Sequence, residues 1–399
     1  MQCVILAAGE GKRMRPLTVR RPKVMLPLAN RPMLEHLVLA SRDAGILDFV
    51  FVVGYGESEI RDYFGDGSRM GVSIRYAPQR HQKGTADALA AARHLVHGTF
   101  LLMNGDMIVR SGDIRDIAAG ISPCMGVFPS DHPEDYGAVV LEGTRVTCIC
   151  EKSANPPART INAGIYLLDE EIFQVTESIP VSSRGELELT DALSMFLAEG
   201  RLKAHHIRYW LDVGYPWDLL DANKSLLVDH VVLENTHIDG VEITGPVSIG
   251  EGTIVRQGTC IEGPAIIGKD CRIGPNAYIR GSTSIGDRCH IGHCSEVKNS
   301  IVMNGTNLPH FNYVGDSIIG TGCNLGAGTI IANLRHDRAL VKACGKETRK
   351  RKFGAIVGDG VQFGINCAVN VGTVIGPDAL IGPHSFVEGC IGQGTVIGR

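Results

Sequence analysis

Residues 6–18 read LAAGEGKRMRPLT and decide the fold of the first half of the chain. They follow the apolar run Val4–Leu6, which has the composition of a buried strand. Gly9 and Gly11 allow the backbone to approach a phosphate closely, and the amide groups of such a loop can bind oxyanions. The arginines of the stretch, with Lys23 shortly after it, can stabilise the charge of a triphosphate. The stretch therefore predicts a nucleoside triphosphate site.

Two better-known phosphate-binding patterns do not fit this stretch. The Gly-Lys-Ser/Thr of the P-loop is absent, and so is the third glycine of the dinucleotide fingerprint. With the following PKVMLPL at residues 22–28, the stretch instead resembles the opening motif of the sugar-1-phosphate nucleotidylyltransferases.

The composition excludes several classes of partner. A chain of 399 residues exceeds the usual single domain, and its net charge of −4 disfavours a general nucleic-acid binder. No stretch is long and apolar enough to span a bilayer, so we expect no membrane partner. No signal peptide is visible ahead of the twelve cysteines, which favours the reducing cytoplasm.

Residues 1–228 alternate between strand-like and helix-like segments, which predicts an α/β domain. The expected strands are Phe49–Val53, Ser73–Tyr76, Thr99–Met103, Cys124–Phe128 and Gly164–Leu168, and the expected helices include Met33–Ala44, Ala86–Leu95 and Pro216–Val228. We predict a Rossmann-like nucleotidyltransferase fold with a mixed, mainly parallel sheet.

Residues 229–399 follow a different rule, because aliphatic residues recur at every sixth position. The positions are Ile243, Ile249, Val255, Ile261, Ile267, Ile273, Ile279, Ile285, Ile291 and Val297, then Ile319, Leu325 and Ile331, then Val357, Phe363, Val369, Ile375, Ile381 and Val387. A fixed short period indicates stacked units that share one core. The pattern resembles the hexapeptide repeats of left-handed parallel β-helices, and the hand comes from that resemblance alone.

Two interruptions break the six-residue period. Val297 and Ile319 are 22 residues apart, and Ile331 and Val357 are 26 apart, so neither spacing is a multiple of six. We expect the extra residues to leave the coil as loops, where sites often lie. The second interruption contains a basic loop, residues 335–352, that is either a solvated surface or a clamp for a phosphorylated ligand.

A zinc site near Cys289, His290, His293 and Cys294 is disfavoured by position. Four cysteines stand two residues before a repeat aliphatic, where other coils have alanine, threonine or serine: Cys271, Cys289, Cys323 and Cys367. Cysteine in such a slot behaves as a small hydrophobe, and no CxxC pair supports a metal.

Two carboxylates are candidates for a magnesium site. Asp106 follows an apolar strand in Asn104-Gly105-Asp106, and ligands of open α/β sheets bind at the carboxyl ends of strands. Asp212 lies in Trp210-Leu211-Asp212. Nucleotidyl transfer uses a divalent ion held by carboxylates, and Mg²⁺ prefers oxygen ligands.

The resemblance to the nucleotidylyltransferases covers this whole half, including Tyr136-Gly137 and residues 185–191. It implies nucleotide contacts from Leu6, Ala8, Gly9, Gly11, Gln79, Gly84 and Thr85, sugar contacts from Gly137, Glu151 and Asn162, a sugar-phosphate contact from Lys152, and catalytic charges from Arg13 and Lys23. The implied reaction is attack of a sugar-1-phosphate on the α-phosphorus of a nucleoside triphosphate. The Gln79 amide could pair with uracil or thymine, which favours UTP or dTTP, but also with guanine.

The second half resembles the acetyltransferase half of the bifunctional bacterial enzymes that make UDP-N-acetylglucosamine. The resemblance implies that His310 is a general base and that acetyl-CoA is a co-substrate, bound between the subunits of a homotrimer. It also implies amino-sugar-phosphate contacts from Arg280, Lys298, Tyr313, Asn324 and Asn333, with Lys342 contacting CoA or phosphate. Leu334 replaces a tyrosine of the bacterial pattern, and residues 333–342 look more like archaeal members.

These features favour a bifunctional enzyme that acetylates glucosamine-1-phosphate, with galactosamine-1-phosphate left open, and then transfers UMP to the product. One alternative is a monofunctional glucose-1-phosphate thymidylyl- or uridylyltransferase, or a mannose-1-phosphate guanylyltransferase, with a scaffolding or regulatory β-helix. A second alternative is a non-catalytic regulatory subunit. The phosphate and metal candidates argue against the regulatory subunit, and the acetyltransferase motif argues against the monofunctional enzyme.

Overall fold

The computed structural model describes residues 1–176, 178–182, 184–230 and 240–398, without the side chains of residues 229 and 230. They form two compact units. The first unit comprises Met1–Glu10, Arg21–Met25 and Met33–Asp212, and the second comprises Gly11–Arg20, Leu26–Pro32 and Val213–Arg399. The expected domain boundary between residues 228 and 229 lies near the end of the helix Asp218–His230, and residues 231–239 lie outside the described residues. That boundary therefore stays a prediction.

A mixed sheet of nine strands forms the centre of the first unit within the described residues. The strands are β1 (Gln2–Ala7), β2 (Asp48–Val53), β3 (Ser73–Pro78), β4 (Phe100–Asn104), β5 (Cys124–Pro129), β6 (Gly137–Glu142), β7 (Arg145–Glu151), β8 (Thr160–Leu168) and β9 (Lys203–His206). Their order is β3-β2-β1-β4-β8-β5-β9-β7-β6. The first four are parallel, as expected, whereas β8 runs antiparallel to both β4 and β5.

Helices cover both faces of this sheet, because alternate residues of the central strands point to opposite sides. In β1, Ile5 packs into one helical layer and Val4 into the other. The helices of the unit are Met33–Asp43, Glu57–Phe64, Thr85–Ala91, Ser111–Ala118, Phe173–Thr176, Leu189–Ala192 and Ser194–Ala198. The helix expected over Ala86–Leu95 is shorter than predicted, since its last residues form turns with hydrogen bonds to the residue three positions earlier.

Residues 240–398 of the second unit wind into a left-handed parallel β-helix with three sheets of eight strands. The strands of face 1 are Glu242–Thr244, Cys260–Glu262, Tyr278–Arg280, Glu296–Lys298, Tyr313–Gly315, Ile330–Ile331, Ala368–Val369 and Phe386–Val387. Those of face 2 are Val247–Ile249, Ala265–Ile267, Thr283–Ile285, Ile301–Val302, Ile318–Ile319, Ala355–Val357, Thr373–Ile375 and Cys390–Ile391. Those of face 3 are Ile254–Val255, Arg272–Ile273, His290–His293, Asn307–His310, Asn324–Leu325, Gln362–Phe363, Leu380–Ile381 and Val396–Ile397.

The repeat aliphatics form one continuous core inside the coil, as predicted. Ile261, Ile279 and Ile291 are fully buried, and the cysteine slot next to them is buried as well. Cys271, for example, is fully buried and donates its thiol to the carbonyl oxygen of Gly286 at 3.1 Å. Small side chains fit this slot because it lies against the backbone of the next coil.

The loop expected between Val297 and Ile319 does not exist, so that prediction is wrong. The coil continues through this region with coils of 17 residues instead of 18, because Ile285 pairs with Val302 and Val297 pairs with Val314. One corner of each coil is shortened by a residue. The shortened corners stack on one another, as the hydrogen bond of 2.6 Å from Asn299 Nδ2 to Asp316 Oδ1 illustrates, and the backbone ladder is kept.

The second interruption leaves the coil as predicted. Lys342–Ala343 pairs with Lys346–Glu347 in an antiparallel hairpin, and Val341 beside it is fully buried. Cys344, in the turn of this hairpin, forms a disulfide with Cys390. The basic loop is therefore a folded element with its own anchor, rather than an unstructured solvated segment.

The remaining strands of the described residues form two short ribbons, and one long helix completes the second unit. Met107–Val109 pairs with Trp210–Asp212 in the first unit, and Pro27–Leu28 pairs with Arg31–Pro32 in the second. The second unit also contains the helix Asp218–His230. Among the described helices, none has both the length and the apolar character needed to cross a bilayer.

A buried asparagine in that helix joins three parts of the second unit. Asn223 is fully buried, and its Oδ1 accepts hydrogen bonds from the amide of Ala29 at 2.8 Å and from the hydroxyl of Ser284 at 2.7 Å. Its Nδ2 donates to the carbonyl oxygen of Ser282 at 3.3 Å. An N-terminal ribbon, the helix and the β-helix are thus linked through one side chain.

Replacing Asn223 by alanine is expected to lower the free energy of unfolding of the second unit by about 1–3 kcal/mol, because buried donors and acceptors lose their partner. Urea unfolding followed by the fluorescence of Trp217, in a Trp210→Phe background, measures this unit. The exposed Asn155→Ala is the matched control and should leave the transition unchanged. An equal transition in both variants would show that Asn223 contributes nothing to this linkage.

Candidate active sites

An ion pair joins two residues at the expected phosphate and metal end of the first unit. Lys23 Nζ lies 2.6 Å from Asp106 Oδ2, and the Lys23 side chain is only 9% exposed. Asp212 pairs with Met107 in the antiparallel ribbon, so its backbone lies beside the residue that follows Asp106. The two candidate carboxylates are therefore brought to the same end of this ribbon. No group of three or more potential metal-binding side chains occurs among the described residues.

A cavity of about 690 Å³ lies beside the strand β3 and is lined in part by Gln79 and Lys83. Gln79 is 8% exposed, and its Nε2 donates to Asp87 Oδ2 at 2.7 Å and to the carbonyl oxygen of Gly84 at 3.2 Å. Gly84 has a φ of 130°, and a Cβ there would lie 2.3 Å from the carbonyl oxygen of Leu187. The glycine is therefore required by this close approach. The expected base-reading residues Gln79 and Gly84 are adjacent.

The first loop borders the same region through backbone contacts. The carbonyl oxygen of Ala8 accepts hydrogen bonds from the amide of Tyr55 at 3.0 Å and from Gln82 Nε2 at 2.8 Å. The carbonyl oxygen of Leu6 accepts from the amide of Gly105 at 3.0 Å. The Cα of Gly9 faces open space, with no atom within 4 Å of an added Cβ. Thr85 accepts a hydrogen bond from the amide of Leu189.

The expected sugar contacts lie on neighbouring strands. Gly137, at the start of β6, pairs with Glu151, at the end of β7, and a Cβ on Gly137 would lie 2.8 Å from Glu151 Oε1. Ala138 pairs with Ile161, which places Asn162 on the adjoining strand β8. Asn162 Nδ2 donates to the phenol oxygen of Tyr166 at 2.7 Å, which fixes the amide.

Arg184 extends this group and was not singled out from the sequence. It forms a two-pronged ion pair with Glu188, and its Nη2 lies 3.6 Å from Glu151 Oε2. Burial raises the pKa of Glu151, while the positive charge of Arg184 opposes that rise. The hydrogen bond from Arg184 lowers the pKa of Glu188. The signal for this network was the stretch 185–191, which contains Glu188 and follows Arg184 directly.

Five polar side chains meet on face 1 of the β-helix. Arg280 and Lys298 pair in register on successive coils. Asp316 is 5% exposed, with Oδ2 lying 3.6 Å from Lys298 Nζ and accepting from Asn333 Nδ2 at 2.5 Å. Asn333 Nδ2 also lies 3.2 Å from the phenol oxygen of Tyr313. Asp316 was not singled out from the sequence, although it contacts both Lys298 and Asn333 and lies at the centre of this group.

Arg280 lies between two glutamates, and its Nε is 4.0 Å from Glu262 Oε2, which is beyond hydrogen-bonding distance. Its Nη1 donates to Glu296 Oε1 at 3.0 Å, and this hydrogen bond raises its pKa. Its Nε is buried without a hydrogen-bond partner among the described residues. A buried guanidinium N–H without an acceptor is costly, so a ligand oxygen there would be stabilising.

His310 and Asn324 lie on face 3, one coil apart. His310 ends the strand Asn307–His310 and pairs with His293, so it belongs to the ladder rather than to a loop excursion as the sequence suggested. Asn324 pairs with Asn307 in the next coil. The imidazole of His310 is exposed at a corner where Phe311 has a φ of 52°. Asn333 follows the face 1 strand Ile330–Ile331, so Asn333 and Asn324 lie on different faces.

Gly11 and Arg13 are described within the second unit. Gly11 has a φ of 71°, and its carbonyl oxygen accepts from the hydroxyl of Thr18 at 3.0 Å. The Arg13 guanidinium lies 5.3 Å from the centre of the Tyr215 ring, and Lys346 Nζ lies 4.9 Å from the same centre. Lys342 is exposed in the basic hairpin, and Lys152 is exposed after β7. The role expected for each of these residues stays a prediction.

Comparison with known proteins gives the family. The nucleotidyl transferase family model matches residues 2–228, and the GMPPB C-terminal domain model matches residues 261–392. A bifunctional protein GlmU from Methanocaldococcus jannaschii is 40% identical over 408 residues, which cover 100% of this chain and 97% of the relative. The chain belongs to the bifunctional GlmU family.

Other members and one solved structure agree with that assignment. A bifunctional sugar-1-phosphate nucleotidylyltransferase/acetyltransferase from Sulfurisphaera tokodaii is 38% identical over 99% of both chains. A crystal structure described as a glucose-1-phosphate thymidylyltransferase from Bacillus anthracis, in complex with sucrose, has a TM-score of 0.53 and 27% identity. It covers 59% of this chain and 98% of its own.

Membership of the GlmU family means that the chain is an enzyme that carries out both nucleotidyl transfer and acetyl transfer. A nucleoside triphosphate and acetyl-CoA are its general co-substrates. The similarity extends over both halves of the chain, so the monofunctional and the regulatory alternatives are not favoured.

Removal of the Arg184 charge is expected to change the pH dependence of nucleotidyl transfer. Because Arg184 opposes the raised pKa of Glu151, Arg184→Ala should raise that pKa further, and the carboxylate would then be protonated at higher pH. The acidic limb of the kcat/KM profile for the sugar phosphate should therefore move to higher pH than in the unchanged enzyme.

The matched control is Arg159→Ala, which removes an arginine that is 74% exposed in the same unit. Its profile should coincide with that of the unchanged enzyme. A profile of Arg184→Ala that coincides with both would exclude Glu151 as the group whose ionisation limits the reaction.

Proposed function

We propose that the acetyltransferase site acts on glucosamine-1-phosphate and that the nucleotidyltransferase site joins UMP, from UTP, to N-acetylglucosamine-1-phosphate. The observation that carries this proposal is the group on face 1 of the β-helix. There Arg280 and Lys298 stand in register, one coil apart, and Arg280 has a buried N–H without an acceptor. Two adjacent cations with free donor capacity are suited to a phosphate group.

The neighbouring groups are suited to the hydroxyl groups of a sugar. Burial raises the pKa of Tyr313, so its phenol stays protonated and can donate a hydrogen bond. Asn333 contacts both Tyr313 and Asp316, which holds its amide in one orientation. A sugar phosphate bound here would meet charge at one end and neutral hydrogen-bonding groups at the other.

In acetyl transfer, the amine nitrogen of the sugar attacks the thioester carbonyl carbon of acetyl-CoA. The nitrogen–carbon bond forms, the carbon–sulfur bond breaks, and CoA leaves as the thiolate. His310 would take the proton that the amine loses, because a neutral imidazole near pH 7 can act as a general base.

In nucleotidyl transfer, a phosphate oxygen of the sugar-1-phosphate attacks the α-phosphorus of UTP, and pyrophosphate leaves. No covalent enzyme intermediate is needed, so the protein chiefly positions groups and stabilises charge. Lys23 and Arg13 would neutralise phosphate oxygens, while Gly137, Glu151 and Asn162 would orient the sugar and Lys152 its phosphate.

The residues at the phosphate end fit a magnesium ion. Asp106 and Asp212 supply carboxylate oxygens, which Mg²⁺ prefers, and the Lys23 ammonium already stands beside Asp106 as a positive charge. When bound, Mg²⁺ would withdraw electron density from the phosphate oxygens. A cytoplasmic homotrimer completes the proposal on the strength of the family resemblance, and sedimentation of the purified protein would test the assembly.

Loss of the His310 imidazole is expected to lower acetyl transfer by about a hundredfold or more, because a positioned general base contributes roughly that factor. The measurement is thiol release from acetyl-CoA by His310→Asn, with glucosamine-1-phosphate and with galactosamine-1-phosphate. Nucleotidyl transfer by the same variant should be unchanged.

The exposed His384→Asn is the matched control and should keep both activities. Thiol release by His310→Asn at the rate of this control would exclude His310 as the base. Absence of amino-sugar-dependent thiol release in the unchanged enzyme would contradict the proposed acetyl acceptor itself.

Removal of the negative charge of the Asp106 carboxylate is expected to slow nucleotidyl transfer. Asp106→Asn should lower Mg²⁺-dependent formation of the UDP-sugar by a hundredfold or more, roughly the effect of losing a positioned electrostatic group, because a magnesium ligand is weakened. Pyrophosphate release is the measurement, and acetyl transfer should be kept.

Asp62→Asn, an exposed carboxylate of the same unit, is the control and should retain both reactions. Full pyrophosphate release by Asp106→Asn at low Mg²⁺ concentration would rule out Asp106 as a metal ligand.

A further inference from the structure

The side-chain amide of Gln79 is held in one of its two orientations. Its Nε2 donates to Asp87 Oδ2 at 2.7 Å and to the carbonyl oxygen of Gly84 at 3.2 Å. A carboxylate and a peptide carbonyl can only accept hydrogen bonds. Rotation of the amide by 180° would therefore place Oε1 against two acceptor oxygens, so the amino group must point towards them.

This arrangement leaves one end of the amide for a ligand. Gln79 lines the cavity of about 690 Å³, and none of the described residues donates a hydrogen bond to its Oε1. Since both protons of Nε2 are used, the side chain can present only an acceptor, Oε1, to a ligand in the cavity. A ligand that pairs with this oxygen must itself carry an N–H or O–H group.

The local structure keeps the three partners in place. Gln79 follows strand β3, and its backbone N–H donates to the carbonyl oxygen of Val53 at 2.7 Å. Asp87 lies in the first turn of the helix Thr85–Ala91. Gly84, just before that helix, is fixed by its close approach to Leu187. Gln79 therefore lies at a strand end and its two acceptors lie at a helix start, rather than on a free loop.

We propose that Asp87 is a positioning residue that selects the nucleobase by fixing the Gln79 amide. Uracil and thymine present a ring N3–H, and guanine presents N1–H, which can donate to Oε1. Cytosine and adenine carry an acceptor nitrogen at the corresponding position, which would face the lone pairs of Oε1. The inference rests on the proposed nucleotidyl transfer and deepens it, because it names a residue that controls the choice of triphosphate.

The comparison of UTP with CTP isolates this effect, since the two bases are of the same size and differ in hydrogen bonding. The test is the ratio of kcat/KM for UTP to that for CTP, measured with N-acetylglucosamine-1-phosphate by pyrophosphate release. Asp87→Asn keeps the shape of the side chain but can present an N–H, which allows the Gln79 amide to rotate. The ratio is expected to fall about tenfold or more, the effect of leaving a buried polar pair mismatched.

Two further variants separate positioning from folding. Asp87→Glu keeps an acceptor-only carboxylate and should retain most of the preference for UTP, even if its overall rate falls. Asp62→Asn changes an exposed carboxylate in the same way and should keep the ratio of the unchanged enzyme. A structural role of Asp87 alone would lower both rates together and leave the ratio unchanged.

Equilibrium binding of UTP and CTP to the same four proteins, measured by calorimetry, accompanies the kinetics. A ratio that stays constant in Asp87→Asn, or an unchanged enzyme without preference between UTP and CTP, would overturn the inference. If the unchanged enzyme forms no UDP-sugar, the proposed nucleotidyl reaction fails, and the binding ratios still decide whether Asp87 selects the base.

Discussion

The backbone ladder between successive coils is the constraint on which the acetyltransferase unit depends. Parallel strands that satisfy their hydrogen bonds from coil to coil place side chains directly above one another. Arg280 therefore lies next to Lys298, although 18 positions separate them in the chain. Where the coil shortens to 17 residues, the ladder is kept and the missing residue is lost from a corner. Asp316 lies at such a corner and contacts Lys298 and Asn333. The candidate phosphate site is a product of this repeated register.

Acceptor-only groups orient the polar side chains in both units. Asp316 holds Asn299 and Asn333, Asp87 holds Gln79, and Glu188 holds Arg184. Each carboxylate removes the freedom of an amide or guanidinium to point either way, because it can only accept hydrogen bonds. Preorganised groups of this kind bind ligands without a further ordering cost. In the proposed sites, recognition of the base and of the sugar phosphate would thus depend on the same kind of fixed hydrogen-bonding group.

The sequence was most informative where a pattern is periodic or a motif is long. The aliphatic period predicted the buried column that includes Ile261, Ile279 and Ile291, and these residues are fully buried. The strand ends predicted from apolar runs agree with β2 and β4 to within one residue. The period failed between Val297 and Ile319, because a deletion of single residues at stacked corners and an inserted loop give the same break in the spacing.

The sequence by itself determined the two kinds of architecture through strand–helix alternation and periodicity, and its motifs carried the resemblance that implies the family and most of the residues proposed for chemistry. The tertiary structure alone decided which side chains orient those residues. Asp87 carries no local signal, because an acidic residue in a first helical turn is an ordinary surface feature, and Arg184 is marked only by the motif at residues 185–191 that follows it. Their roles arise from contacts with Gln79, Glu151 and Glu188, and only a folded chain brings these atoms within hydrogen-bonding or ion-pairing distance.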